Sequence, residues 1–116
     1  MDAVEGLCIR RALDLFKLDE SEWHVIVQPL SGSSANFAVY TGLAGPNCKI
    51  MGLTLSEGGH LSHGHKANAT SKFFQSQQYK LDPKSCLIDY EGLEDQAKEF
   101  KPDIIIAGIS AYSRVI

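Results

Sequence analysis

Apolar and polar positions follow two rhythms along these 116 residues. Val4, Leu7, Cys8, Arg11, Ala12, Leu15 and Phe16 recur at three and four spacing, so an apolar stripe predicts a first helix. Asp19 or Ser21 breaks that stripe. Trp23 to Val27 then reads as a strand that runs into Pro29. A helical pattern opens at Ala35, covers Asn36 to Leu43 and is stopped by Gly45-Pro46. Lys49 to Leu55 reads as a second strand, and its Ile50-Met51-Gly52-Leu53 run suits burial on both faces. Ser56 to Asn68, rich in glycine and histidine, reads as a loop. Phe73-Phe74 and Gln78-Tyr79-Lys80 read as short strands. Asp89 is placed as the N-cap of a helix through Leu93, Ala97 and Phe100. Pro102 precedes a third buried strand, Asp103 to Ala107.

Helices that alternate with short apolar strands predict an α/β fold, a mainly parallel sheet flanked by helices. Trp23, Phe37, Tyr40, Phe73, Phe74 and Phe100 are assigned to its core, and the charges from Asp89 to Lys101 to a solvated helix face. The length fits one domain at most, and the sequence has no repeat, low-complexity tract or linker.

Composition narrows the function classes. A hydrophobic content of 44% allows a core. The formal net charge of −3 argues against a nucleic-acid module driven by a basic surface. Cys8, Cys48 and Cys86 are too scattered for a disulfide framework or a zinc site, which favours a reducing compartment. Ile104 to Ala107, the longest apolar run, is too short to span a bilayer. The acidic start, Met1 to Glu5, carries no secretory signature. A cytoplasmic protein without membrane or nucleic-acid partners is the expectation.

Ligands of parallel sheets sit beyond the carboxyl ends of the strands. Three polar segments are expected there. Ser31-Gly32-Ser33-Ser34 stands before a helix, where unpaired N–H groups and the helix dipole attract anions. It could equally be a plain strand-to-helix turn. It lacks both the Gly-Lys-Ser/Thr of a P-loop and the glycine run of a dinucleotide fingerprint. Gly58-Gly59-His60-Leu61-Ser62-His63-Gly64 could present imidazoles to a flat cofactor, or be a glycine-rich loop with polar histidines. A metal pair lacks a third ligand, and no metal is assigned. Ser110-Ala111-Tyr112-Ser113-Arg114 offers hydroxyls and one cation, or is an ordinary strand exit.

Taken together, these segments resemble serine hydroxymethyltransferase. Trp23 to Thr41 is similar to the family's phosphate segment, Ile50 to Gly64 to its glycine–histidine loop, and Ile105 to Arg114 to its later strand-end motif. The resemblance runs along essentially the whole chain. It implies that residues 1–116 are part of the large cofactor-binding domain of a fold type I transferase that uses pyridoxal 5'-phosphate. By position, Ser31, Gly32 and Ser33 would hold the cofactor phosphate, and Ser110 would bond the ring's phenolic oxygen. His60 and His63 would take catalytic roles, His60 stacked on the pyridine ring and His63 supporting the loop. Leu55, Gly58, Gly59 and Leu61 would lie along the folate site. The implied reaction exchanges a hydroxymethyl group between serine and glycine, with tetrahydrofolate as carrier, in a homodimer or homotetramer.

The sequence departs from the family pattern at His24, Ile26 and Ser34, and at Thr54-Leu55-Ser56-Glu57, where Asp-Leu-Pro-Asp is usual. No position matches the family's Schiff-base lysine, its aspartate for the pyridine nitrogen or its arginine for the substrate carboxylate. Lys49, Lys66, Lys72, Lys80 and Lys84 do not stand in a matching context. The expectation is therefore a fragment that is inactive alone, or alternatively a truncated non-catalytic isoform that associates with full-length subunits.

Overall fold

The computed structural model describes residues 1–116. The chain divides into two compact units, Met1–Ser31 and Gly32–Ile116.

In the first unit the predicted helix forms as α1, Asp2–Phe16. It ends at Lys17, whose left-handed backbone (φ 55°) turns its N–H back onto the carbonyls of Asp14 and Leu13. Leu13 is the one buried residue of α1, while Val4, Leu15 and Phe16 of the stripe stay exposed. The strand expected at Trp23 to Val27 does not form, and the segment is irregular. A strand exists only through a neighbour that takes its backbone hydrogen bonds, and this unit contains no second strand. Trp23 is consequently 56% exposed and Ile26 69%, so the aromatic assigned to the core there is corrected to the surface.

The second unit bears out the α/β expectation. Strands β1 (Lys49–Leu53), β2 (Gln75–Tyr79) and β3 (Ile104–Ile106) form a parallel sheet in the order β2-β1-β3. The register pairs Lys49 with Gln75 and Ile50 with Ile104. As the central strand, β1 is closed on both faces, and Ile50, Met51 and Leu53 have no exposed surface. Side chains alternate across a strand. Ile50 therefore joins Tyr40, Cys48 and Phe74 on one face, and Met51 and Leu53 join Tyr79, Ile88 and Tyr112 on the other. Helix α2 (Gly32–Ala44) covers the first face through Phe37 and Tyr40. Helix α4 (Tyr90–Phe100) covers the second through Leu93, Ala97 and Phe100.

Asp89 caps α4 as expected, its carboxylate accepting the Gly92 N–H at 2.9 Å. The outward face of α4 is charged, with Lys98 on Glu94 at 2.7 Å. Several boundaries are corrected: β1 ends at Leu53 rather than Leu55, β2 starts at Gln75 rather than Gln78, and β3, expected buried from Asp103 to Ala107, is shorter and leaves Ile105 49% exposed. Helix α2 starts at Gly32 rather than Ala35, so Ser33 and Ser34 lie inside its first turn. Phe73 closes a short helix α3, Thr70–Phe73, and the strand follows at Gln75, because the Asn68 side chain accepts the Thr70 N–H at 3.1 Å in a local turn before the chain can extend. Phe73 is 53% exposed, whereas Phe74 is buried under Tyr40 and Phe37.

Candidate functional site

The first turn of α2 begins at Gly32, where a side chain would meet nothing within 4 Å. The leading N–H groups of a helix have no acceptor within the helix, and the positive end of the dipole lies at this turn, beside the open space over Gly32. Ser33 adds a half-buried hydroxyl there. Ser31 is the last residue of the preceding unit. Ser33, Asn36, Phe37 and Tyr40 repeat at three and four spacing and form the less exposed stripe of α2.

Beyond β1 the chain makes two 3₁₀ turns, Leu55–Glu57 and Leu61–His63, in place of the expected loop. The glycines between them are sites of close approach. Gly58 has φ 108°, and a Cβ on it would lie 2.6 Å from the Tyr112 nitrogen. A Cβ on Gly59 would lie 1.9 Å from the Leu53 carbonyl oxygen. The Gly58 carbonyl accepts the N–H groups of Ser110 at 2.8 Å and Ala111 at 3.0 Å. The glycine–histidine loop and the β3 exit are therefore locked together. Glu57 adds a further tie by accepting the Leu81 N–H at 2.7 Å. Leu55 and Leu61 stand 38% and 41% exposed on the two turns.

The second turn is capped by its own histidines. His60 Nδ1 accepts the Ser62 N–H at 3.2 Å, and His63 Nδ1 accepts the His60 N–H at 3.2 Å. The two rings lie 5.9 Å apart. Ser62 is fully buried, and its Oγ lies 2.7 Å from His60 Nδ1 and accepts from Asn36 Nδ2 at 2.8 Å. Through Asn36 the glycine–histidine loop is thus bonded to α2. His63 is buried on the α2 face of the sheet, with its Cβ so near Gly52 that an added Cβ would come within 2.8 Å. Burial pushes the His63 imidazole below its ordinary pKa, and the neighbouring His60 adds to that, against a partial pull upward from the Leu53 backbone. Burial raises the Tyr40 phenol, and the Ser62 hydroxyl beside it draws it back in part. The buried Tyr40 hydroxyl lies near Ser62, but the two make no hydrogen bond of good geometry.

Two of the three expected segments are therefore joined directly, 58–64 to 110–111, and the third, α2, is joined to the first of them by Asn36 and Ser62. Ser110 itself is exposed. Tyr40 is buried in the core as expected, whereas the roles of Asn36 and Ser62 are not evident from the sequence pattern. A signal for Asn36 exists, because it shares the α2 stripe with Ser33. Open space over Gly32 at a helix start, an orphaned buried hydroxyl, the part-buried His60 imidazole and the buried His63 imidazole fit a planar group that carries an anion. No cluster of three or more His, Cys, Asp or Glu side chains forms a metal site. No helix is long and apolar enough to cross a membrane.

Comparison with known proteins points to one family. The family model for serine hydroxymethyltransferase matches residues 1–116. The chain is 56% identical to a serine hydroxymethyltransferase of Caenorhabditis elegans, over 98% of this chain and 24% of that protein. It is 54% identical to one of Bombyx mori, over 100% of this chain and 26% of the relative. It is 53% identical to the cytosolic serine hydroxymethyltransferase of Oryctolagus cuniculus, over 98% of this chain and 25% of the relative. The chain spans about a quarter of the length of these relatives.

Proposed function

The chain belongs to the serine hydroxymethyltransferase family, and from that premise we propose that residues 1–116 form the part of such an enzyme that holds pyridoxal 5'-phosphate. Ser31, Gly32 and Ser33 hold the phosphate at the start of α2, by backbone donors and hydroxyls. His60 lies against the pyridine ring, His63 supports the loop beneath it, and Ser110 donates to the phenolic oxygen. The observation that carries this reading is the Asn36–Ser62–His60 chain of bonds, which fixes the imidazole loop to the helix that bears the phosphate cup.

When bound, the cofactor supplies an electron-poor ring that takes up the electron pair of a broken substrate bond. This chain's own contribution is positional. Gly58 holds the exit of β3 through two backbone bonds, so Ser110 and the histidine loop move as one piece. The exposed Leu55 and Leu61, with Gly58 and Gly59 between them, offer an apolar edge for the pteridine of tetrahydrofolate. The substrates are serine and glycine, and the working unit is a homodimer or homotetramer. The half-exposed Val39 and the exposed Leu43 on α2 fit such burial between subunits. A cytoplasmic place suits three free cysteines. No lysine among these residues is assigned to the cofactor's aldehyde.

The test is tetrahydrofolate-dependent conversion of serine to glycine by the full natural protein, with and without added pyridoxal phosphate. Conversion that depends on the cofactor and drops by at least about a hundredfold in Ser33→Ala/His60→Ala supports the reading. Conversion unaffected by both the cofactor and these substitutions contradicts it.

A further inference from the structure

The hydrogen bonds around Ser62 assign a proton. The Ser62 backbone N–H points at His60 Nδ1 from 3.2 Å, and an N–H cannot donate to a protonated nitrogen. His60 Nδ1 is therefore an acceptor, and in the neutral ring the proton sits on Nε2. The Ser62 hydroxyl, 2.7 Å from the same nitrogen, must then donate to it. That uses the hydroxyl's single proton, so Oγ turns its lone pair to Asn36, which presents its Nδ2 at 2.8 Å. Ser62 has no exposed surface, so water does not compete for its hydroxyl. The direction of donation runs one way, from Asn36 to Ser62 to His60.

We propose that Asn36 and Ser62 are positioning residues that hold His60 in its Nε2–H tautomer and fix the plane of its ring relative to helix α2. This rests on the reading of His60 as the residue that lies against the cofactor ring. Asn36 is on the stripe of α2 that includes Ser33, so the helix that would hold the phosphate also sets the imidazole. Backbone capping by Ser62 N–H alone would leave the ring one long bond, whereas the relay adds a short one in the buried interior.

The experiment is nitrogen NMR of 15N-histidine-labelled full natural protein, above the titration range of histidine, with pyridoxal phosphate affinity measured in parallel. The wild type is expected to show His60 with Nδ1 unprotonated and Nε2 protonated. Ser62→Ala removes the hydroxyl, and Asn36→Asp offers a carboxylate that draws the Ser62 proton away from the ring. Both are expected to mix the tautomers, with cofactor affinity about tenfold weaker. Ser62→Thr retains the hydroxyl and is expected to restore the wild-type nitrogens. A wild-type His60 protonated on Nδ1, or nitrogens unmoved in both Ser62→Ala and Asn36→Asp, overturns the proposal. The nitrogen signals need no cofactor. A wild type that fails to bind pyridoxal phosphate would count against the proposed function while the tautomer still decides the relay.

Discussion

Residues 23–27 and residues 49–53 are both short apolar runs, and they meet opposite fates. The second becomes the central strand β1, with Ile50, Met51 and Leu53 wholly buried. The first stays irregular, with Trp23 and Ile26 more than half exposed. What separates them is neighbours. β1 has β2 on one side, β3 on the other, and a helix on each face. The unit Met1–Ser31 holds one helix and no strand, so the backbone of residues 23–27 has nothing to pair with there. β-forming composition describes what a segment can do once a sheet exists, and the sheet is a long-range fact.

The largest expected effect tests that contrast directly. Met51→Ala should lower the unfolding free energy by about 2–5 kcal/mol, because it opens a cavity in a closed core. Ile26→Ala should change it by no more than about 0.5 kcal/mol. Denaturant titration of the full natural protein measures both, and equal losses would break the comparison. Gly59→Ala comes next. Its Cβ would overlap the Leu53 carbonyl, and overpacking of this kind costs about 1–3 kcal/mol or more. Thermal unfolding should show that loss, together with release of the glycine–histidine loop as faster amide exchange at Gly59, whose N–H is held by the Thr54 carbonyl at 3.0 Å. Asp89→Ala removes the cap of α4 and should cost about 1 kcal/mol.

The smallest effect is confined to mild acid. His63 has its pKa depressed in the fold from an ordinary 6.5, chiefly by burial. The unfolded chain therefore binds a proton that the folded chain refuses, and stability rises with pH through that window. The contribution of neutral His63 is complete above about 6.5 and is lost as the pH falls toward the folded value. A pH series of unfolding midpoints should show the decline, and His63→Asn should flatten it.

Much of the second unit was legible because its signals are local. Asp89 announced α4, and Ile50 to Leu53 announced a strand closed on both faces. The Gly58–Gly59 pair announced a place where backbone comes close, which is what its contacts with Tyr112 and Leu53 show. The sequence pattern puts the start of α2 three residues late, since Gly and Ser read as turn formers although the first turn of a helix tolerates both. Phe73 and Phe74 look alike in the sequence, but the turn at Asn68 and the short helix after it leave one at the helix end and the other in the core. The part of the site that local pattern did not show is Asn36–Ser62, a bond between residues 26 apart whose existence depends on α2 packing over the loop.

The central claim is that the start of α2 takes the phosphate of pyridoxal 5'-phosphate. Calorimetric titration of the full natural protein with pyridoxal 5'-phosphate and with pyridoxal, for wild type and Ser33→Ala, tests it most directly. The account predicts that wild type prefers the phosphorylated form by at least about tenfold, and that Ser33→Ala removes much of that preference. Equal binding of the two forms by the wild type would contradict it.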